Sequence, residues 1–103
     1  MKLNVSKILT QFDGITPLKI KLKEGEINLT LKEFLMTILG SNQSKEGKES
    51  IHVIKLGMDI FKAKKEIDVT IEDIVLIKKI VNDNKGWTDL PKGQVLMILD
   101  EVK

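Results

Sequence analysis

His52 is the one histidine of a chain without cysteine, and an imidazole is the side chain best suited to proton transfer near neutral pH. Catalysis by histidine requires an orienting carboxylate and a nucleophile or substrate group within hydrogen-bond reach. On a helix His52 shares its face with Lys55, Asp59 and Lys62, and Asp59 stands two turns away, so the spacing predicts a solvated histidine. Metal chemistry has as little to build on. Without thiolates the ligands are carboxylates beside a single imidazole, and the adjacent pairs Glu72-Asp73 and Asp100-Glu101 point in different directions from a helix. The glycines at 14, 25, 40, 47, 57, 86 and 93 are scattered, and no phosphate-cradling loop can be assembled from them. These residues predict neither an enzyme, nor a metal site, nor a cofactor.

Binding is the remaining class of function. All 17 basic residues are lysines, and the formal net charge is only +2. Arginine, the preferred bidentate reader of guanine and phosphate, is missing. Lys19, Lys21 and Lys23 form one stripe on a strand pattern, and Lys62, Lys64 and Lys65 cluster farther on. Lysine contacts to phosphate would be salt-sensitive and sequence-blind, which makes a small DNA-binding regulator the alternative reading. Glu24, Glu26, Glu66 and Asp68 follow these clusters and blunt their field, so a protein partner is expected ahead of nucleic acid. Trp87, the single tryptophan, sits in a turn between Gly86 and Pro91. It is either a lid on the core or an exposed anchor of the kind that dominates interfaces. Leu90 and Met97, with Val102, extend the candidate protein-binding patch around it.

These side chains must be positioned by local elements. Residues 69–81 carry the best helix signal. Thr70 can accept from the amide three residues on, Asp73 can complete a capping box, and Val69 with Ile74 form a hydrophobic staple. At about 100° per residue, Ile71, Ile74, Leu76, Ile77, Ile80 and Val81 sweep more than half of the circumference. The pattern therefore predicts a central helix around which the other segments pack. Thr30, Glu33 and the pair Leu29 and Phe34 repeat the same logic for a helix that runs to Leu39 and stops at a left-handed Gly40.

Residues 41–48 read as a polar loop, and residues 49–64 as a helix with Val53, Leu56, Ile60 and Ala63 on its core face. Lys55 and Asp59 have ion-pair spacing there, and Gly57 marks a close helix crossing. Residues 65–68 form a linker into the Thr70 cap. Thr88 or Asp89 starts a last short helix, with Pro91 in its first turn. At the N-terminus, Leu3 and Val5 fit an edge strand or a loose arm, and Asp13-Gly14 is a turn signal. Leu18, Ile20 and Leu22 alternate with lysines as one strand of a hairpin that returns through residues 26–29.

With 103 residues the chain is read as one domain, residues 1–103, with a β-hairpin or arm over 1–29 and a helical core over 30–103. The expected class is α+β, mainly helical, with about four packed helices. No apolar run approaches the roughly 18 residues of a membrane span, and the N-terminus lacks the apolar core of a secretory signal.

Leu29-Thr30-Leu31, Lys55-Leu56-Gly57-Met58-Asp59-Ile60, Glu66-Ile67-Asp68-Val69-Thr70, Ile74-Val75-Leu76-Ile77-Lys78-Lys79, and Gly93-Gln94-Val95-Leu96 with Leu99-Asp100 carry a resemblance. Over residues 27–101 the chain resembles a family of small proteins encoded in bacteriophages and prophages, whose members mostly carry no assigned activity. Asp13-Gly14 also fits, whereas Trp87-Thr88-Asp89-Leu90-Pro91 departs from the apolar or tyrosine-bearing turn of similar sequences. The resemblance implies a non-enzymatic protein of the host cytoplasm or the virion. Its partner would be a phage structural protein or a host defence or regulatory factor, with self-association as the other option.

Overall fold

The computed structural model describes residues 1–102. In chain order these form β1 (Lys2–Asn4), β2 (Lys19–Leu22), β3 (Gly25–Asn28), α1 (Leu31–Ser41), α2 (Gly47–Lys62), β4 (Glu66–Asp68), α3 (Ile71–Asp83) and α4 (Asp89–Asp100). About half of the residues are helical, and the fold is α+β, mainly helical.

The N-terminal segment contains both an arm and a hairpin. β2 and β3 pair antiparallel as a hairpin that turns through Lys23 and Glu24. β1 pairs with β4 instead, setting Leu3 opposite Ile67. The stretch expected to be a linker is thus a strand, because residues 65–68 meet a complementary backbone from the far end of the chain. Gly14 closes the predicted turn with φ +74°. Asp13 organises that turn, its carboxylate accepting from the Ile15 and Thr16 amides and the Thr16 hydroxyl. The apolar face of the hairpin is covered only in part: Ile20 packs on the core, while Leu22 and Ile27 remain exposed.

Both threonine caps form. Thr70 Oγ1 accepts from the Asp73 amide at 3.1 Å, and the Thr70 amide donates in turn to Asp73 Oδ2 at 2.9 Å. At α1, Thr30 Oγ1 accepts from the Glu33 amide at 3.2 Å. Gly40, however, lies inside α1, which runs one residue further and ends at an extended Asn42. Helical backbone suits Gly40 because the chain does not reverse there, so no left-handed residue is needed.

The helix at the centre is α1. Leu31, Phe34, Leu35 and Ile38 are all fully buried at the spacing of one continuous helix face. α1 packs against both α2 and α3, and α4 packs on α3. α3 contributes Ile74, Leu76, Ile77, Ile80 and Val81 to the core but leaves Ile71 and Val75 exposed. Its apolar sweep is wider than the surface that the neighbours cover.

These burial differences set the expected stability effects. Ile38→Ala, which empties a fully buried site, should cost about 2–5 kcal/mol. Ile54→Ala, at a residue 62% exposed, should change stability by no more than about 0.5 kcal/mol. Urea unfolding followed by circular dichroism measures both, and equal losses would contradict this placement of the core.

Candidate functional site

α2 carries apolar residues on two sides. Val53, Leu56 and Ile60 face the core, as the spacing predicts. A second series, Ile51, Ile54, Met58 and Phe61, recurs at i, i+3, i+7 and i+10 and makes an outer stripe. These four side chains are 60, 62, 53 and 67% exposed. The sequence contains this seam spacing in plain view, but an amphipathic reading assigns one apolar face per helix, and the outer face was the one left over.

Two grooves flank the stripe. On the α1 side a groove of about 310 Å³ is lined by Met36, Leu39, Gly40, Val53, Ile54, Gly57, Met58, Phe61 and Lys62. A Cβ added at Gly57 or at Gly40 would meet no neighbouring heavy atom within 4 Å. Gly57 is therefore not at a close helix crossing; it opens the groove instead. On the other side, Ile51, His52 and Lys55 of α2 face Ile71, Val75 and Leu76 of α3 across a second groove of about 670 Å³. The exposed Ile71 and Val75 extend the apolar surface beyond the stripe.

Polar contacts hold α2 at both ends of this face. Lys32 Nζ donates to the Phe61 and Ala63 carbonyls, each at 2.7 Å. A cation at these last carbonyls suits the negative end of the helix. Towards the other end, Lys79 Nζ donates to Glu49 Oε2 at 2.9 Å. This bond is the main cause holding the Glu49 carboxyl below its ordinary range and the Lys79 ammonium above its own.

His52 lies beside the second groove, and its Nε2 is 2.6 Å from Asp73 Oδ1. The orienting carboxylate thus comes from α3 and not from Asp59, a long-range pairing that helical spacing could not reveal. Partial burial raises the Asp73 pKa, but bonds from His52 and from the Thr70 amide outweigh it and leave the carboxyl below its ordinary range. Both oxygens of Asp73 are engaged, one by His52 and one by the α3 cap, so the carboxylate clamps α2 to the start of α3. Lys55 and Asp59 do not form the predicted ion pair. Among the described residues no three His, Asp or Glu side chains converge on one point.

The predicted binding residues are dispersed. Trp87 is half-buried, with its ring 4.9 Å from that of Phe34 at 48°, and it covers the core as the lid. Leu90 is half-buried, and its carbonyl accepts from Gln94 Nε2. Met97 is exposed and lines a shallow depression with Ile8, Thr10 and Ile98, to which Trp87 and Leu90 do not contribute. Lys19, Lys21 and Lys23 are exposed. Lys19 is engaged by Asn28 Oδ1 at 2.7 Å, and Lys21 lies opposite Glu26 in the hairpin. Among the described residues no helix is long and apolar enough to cross a membrane.

No family model, curated protein or solved structure matches the chain.

The Asp73 clamp has a definite pH signature. A carboxyl whose pKa is lower in the folded chain stabilises the fold above its unfolded pKa, and that contribution is lost as pH falls through the folded value. Stability should therefore decline below about pH 4, and Asp73→Asn should flatten that decline. Thr70→Ala should remove about 1 kcal/mol at neutral pH through the cap. Denaturant midpoints between acid and neutral pH test both, and an unchanged acid slope in Asp73→Asn would show that the clamp is not formed.

Proposed function

We propose that this protein acts by binding another protein through the outer face of α2, with no catalysis and no cofactor of its own. The observation that carries the reading is the outer stripe of Ile51, Ile54, Met58 and Phe61, continuous with an apolar groove on each side. Contiguous apolar surface of this kind on a small domain marks a site that another surface covers. Covering a side chain of this size stabilises a complex by about 1.5–3 kcal/mol on full burial, before the entropy of association is subtracted. Four such residues on one rigid helix are sufficient for an anchor cluster.

The resemblance of residues 27–101 to small phage and prophage proteins supplies the setting. In that setting the protein works in the host cytoplasm or in the virion, either in assembly or on a host defence or regulatory factor. The lysines at 19, 21 and 23 offer less to nucleic acid than the α2 face offers to protein, since Asn28 engages one and Glu26 faces another.

The test is a partner captured by cross-linking in producing cells, identified, purified and returned to the protein in a calorimeter. Ile54→Glu combined with Met58→Glu places charge only at exposed positions and should leave the circular dichroism spectrum unchanged while abolishing the complex. Trp87→Ala, which uncovers Phe34, should lower stability and leave affinity in place. A partner that binds the double glutamate variant as well as the parent would place the interface elsewhere.

A further inference from the structure

We infer that a second copy of this chain docks in the α1-side groove, inserting Phe12 and Ile15 from the turn over residues 11–16 in a head-to-tail contact. The inference rests on the protein-binding reading above, since this groove belongs to the α2 face, and it names one occupant. Among the described residues Phe12 and Ile15 are the most exposed of the large apolar side chains, at 94 and 81%. Their turn is ordered by its own hydrogen bonds. The Gln11 amide donates to the Thr16 carbonyl at 2.8 Å and the Gly14 amide to the Gln11 carbonyl at 3.0 Å, while Asp13 accepts from Ile15 and Thr16. A fixed backbone thus holds two apolar side chains out in water, and little freedom is lost when a surface covers them.

The same molecule carries the complementary surface. The groove, of about 310 Å³, stands at the low end of the roughly 300–1,000 Å³ of small-ligand sites, a space for one or two side chains and not for a whole helix. Gly40 and Gly57 keep it open. Both are helical, and neither has a neighbour within 4 Å of an added Cβ. A glycine inside a helix costs stability relative to alanine, and nothing in the packing of a single chain requires these two. Charge agrees with the fit. Among the described residues Lys62 is the one charged side chain that lines this groove, and it has no carboxylate within 4.0 Å. Glu46, Glu49 and Glu72 line the groove on the α3 side instead. Asp13 stands between Phe12 and Ile15, and bonds from the Thr16 hydroxyl and from the Ile15 and Thr16 amides hold its carboxyl below the ordinary range, so it is ionised at neutral pH. The turn therefore offers two apolar groups around a carboxylate to an apolar groove with one ammonium. No residue of the turn lines the groove, so the two patches are separate, and joining them copy to copy gives a heterologous contact that closes as a ring or grows as a filament.

Sedimentation of the full-length chain, over a series that reaches about 1 mM for so small a contact, should show a mass that rises with concentration. Phe12→Ser removes the inserted ring at an exposed position, and Gly57→Leu fills the groove. Each variant, with its fold checked by circular dichroism, should stay monomeric. Mixed in equal amounts, the two should form a one-to-one complex that grows no further, because the open groove of the first takes the intact turn of the second and no other working pair is left. Lys62→Glu should weaken association of the parent about two- to fivefold, the effect of one exposed ion pair. A parent that stays monomeric, a Phe12→Ser variant that associates like the parent, or a mixture that stays monomeric would each overturn the self-contact. So would a monomeric parent whose captured natural partner is lost in Phe12→Ser, because the turn would then fill a pocket of that other protein. In each of those cases, loss of the natural partner in the double glutamate variant keeps the α2 face as an interface, and retention of that partner rejects the face itself.

Discussion

The amides at the start of α1 impose the constraint on which the rest of this fold depends. The first turn of a helix presents N–H groups with no partner inside the helix, and here that turn is buried, with Leu29, Leu31 and Phe34 shut off from water. The N-terminal arm provides what water cannot. The Lys7 carbonyl accepts from the Leu31 amide and the Val5 carbonyl from the Lys32 amide, each at 2.8 Å. Thr30 supplies the next acceptor with its hydroxyl. Unpaired amides at this depth would each be expensive, so the arm must cross the helix start for α1 to occupy the centre.

Once the arm is held there, its other bonds follow. β1 pairs with β4 and so fixes the connection between α2 and α3. Leu9 and Leu18 bond to each other and to Leu29, which brings the hairpin against the base of the helices. Further along, Gln94 of α4 accepts from the Thr10 amide and donates to the Thr10 carbonyl, so the last helix is tied to the first segment. The N-terminal residues are thus a backbone scaffold for three different helices.

α2 is held differently, and this bears on function. It packs along α1 through one face and reaches α3 chiefly through side chains, the His52–Asp73 and Lys79–Glu49 pairs. That arrangement lets its outer side carry a second apolar series without burying it. The same arrangement leaves open grooves on both flanks, one of them floored by Gly40 and Gly57, where larger residues would fill the space.

Much of the local structure was legible in the residues themselves. Thr30 and Thr70 announce two helix starts because capping is a contact across three residues, and Asp13-Gly14 announces its turn for the same reason. The alternation of Leu18 to Lys23 marks the hairpin, and helix periodicity is enough for the mainly helical α+β class. Relations between distant segments were not legible. Glu66-Ile67-Asp68 is too short to read as a strand until β1 lies beside it, and His52 has no visible carboxylate until α3 turns Asp73 towards it. α3 has the stronger cap signal, yet α1 holds the centre, and its composition agrees: only Lys32 and Glu33 are charged in α1, whereas α3 carries Glu72, Asp73, Lys78, Lys79 and Asp83. Likewise the sequence by itself determined that α2 has apolar residues at two helical spacings. Only the tertiary structure decided that Val53, Leu56 and Ile60 are core while Ile51, Ile54, Met58 and Phe61 are surface, because α1 can cover only one side of a cylinder.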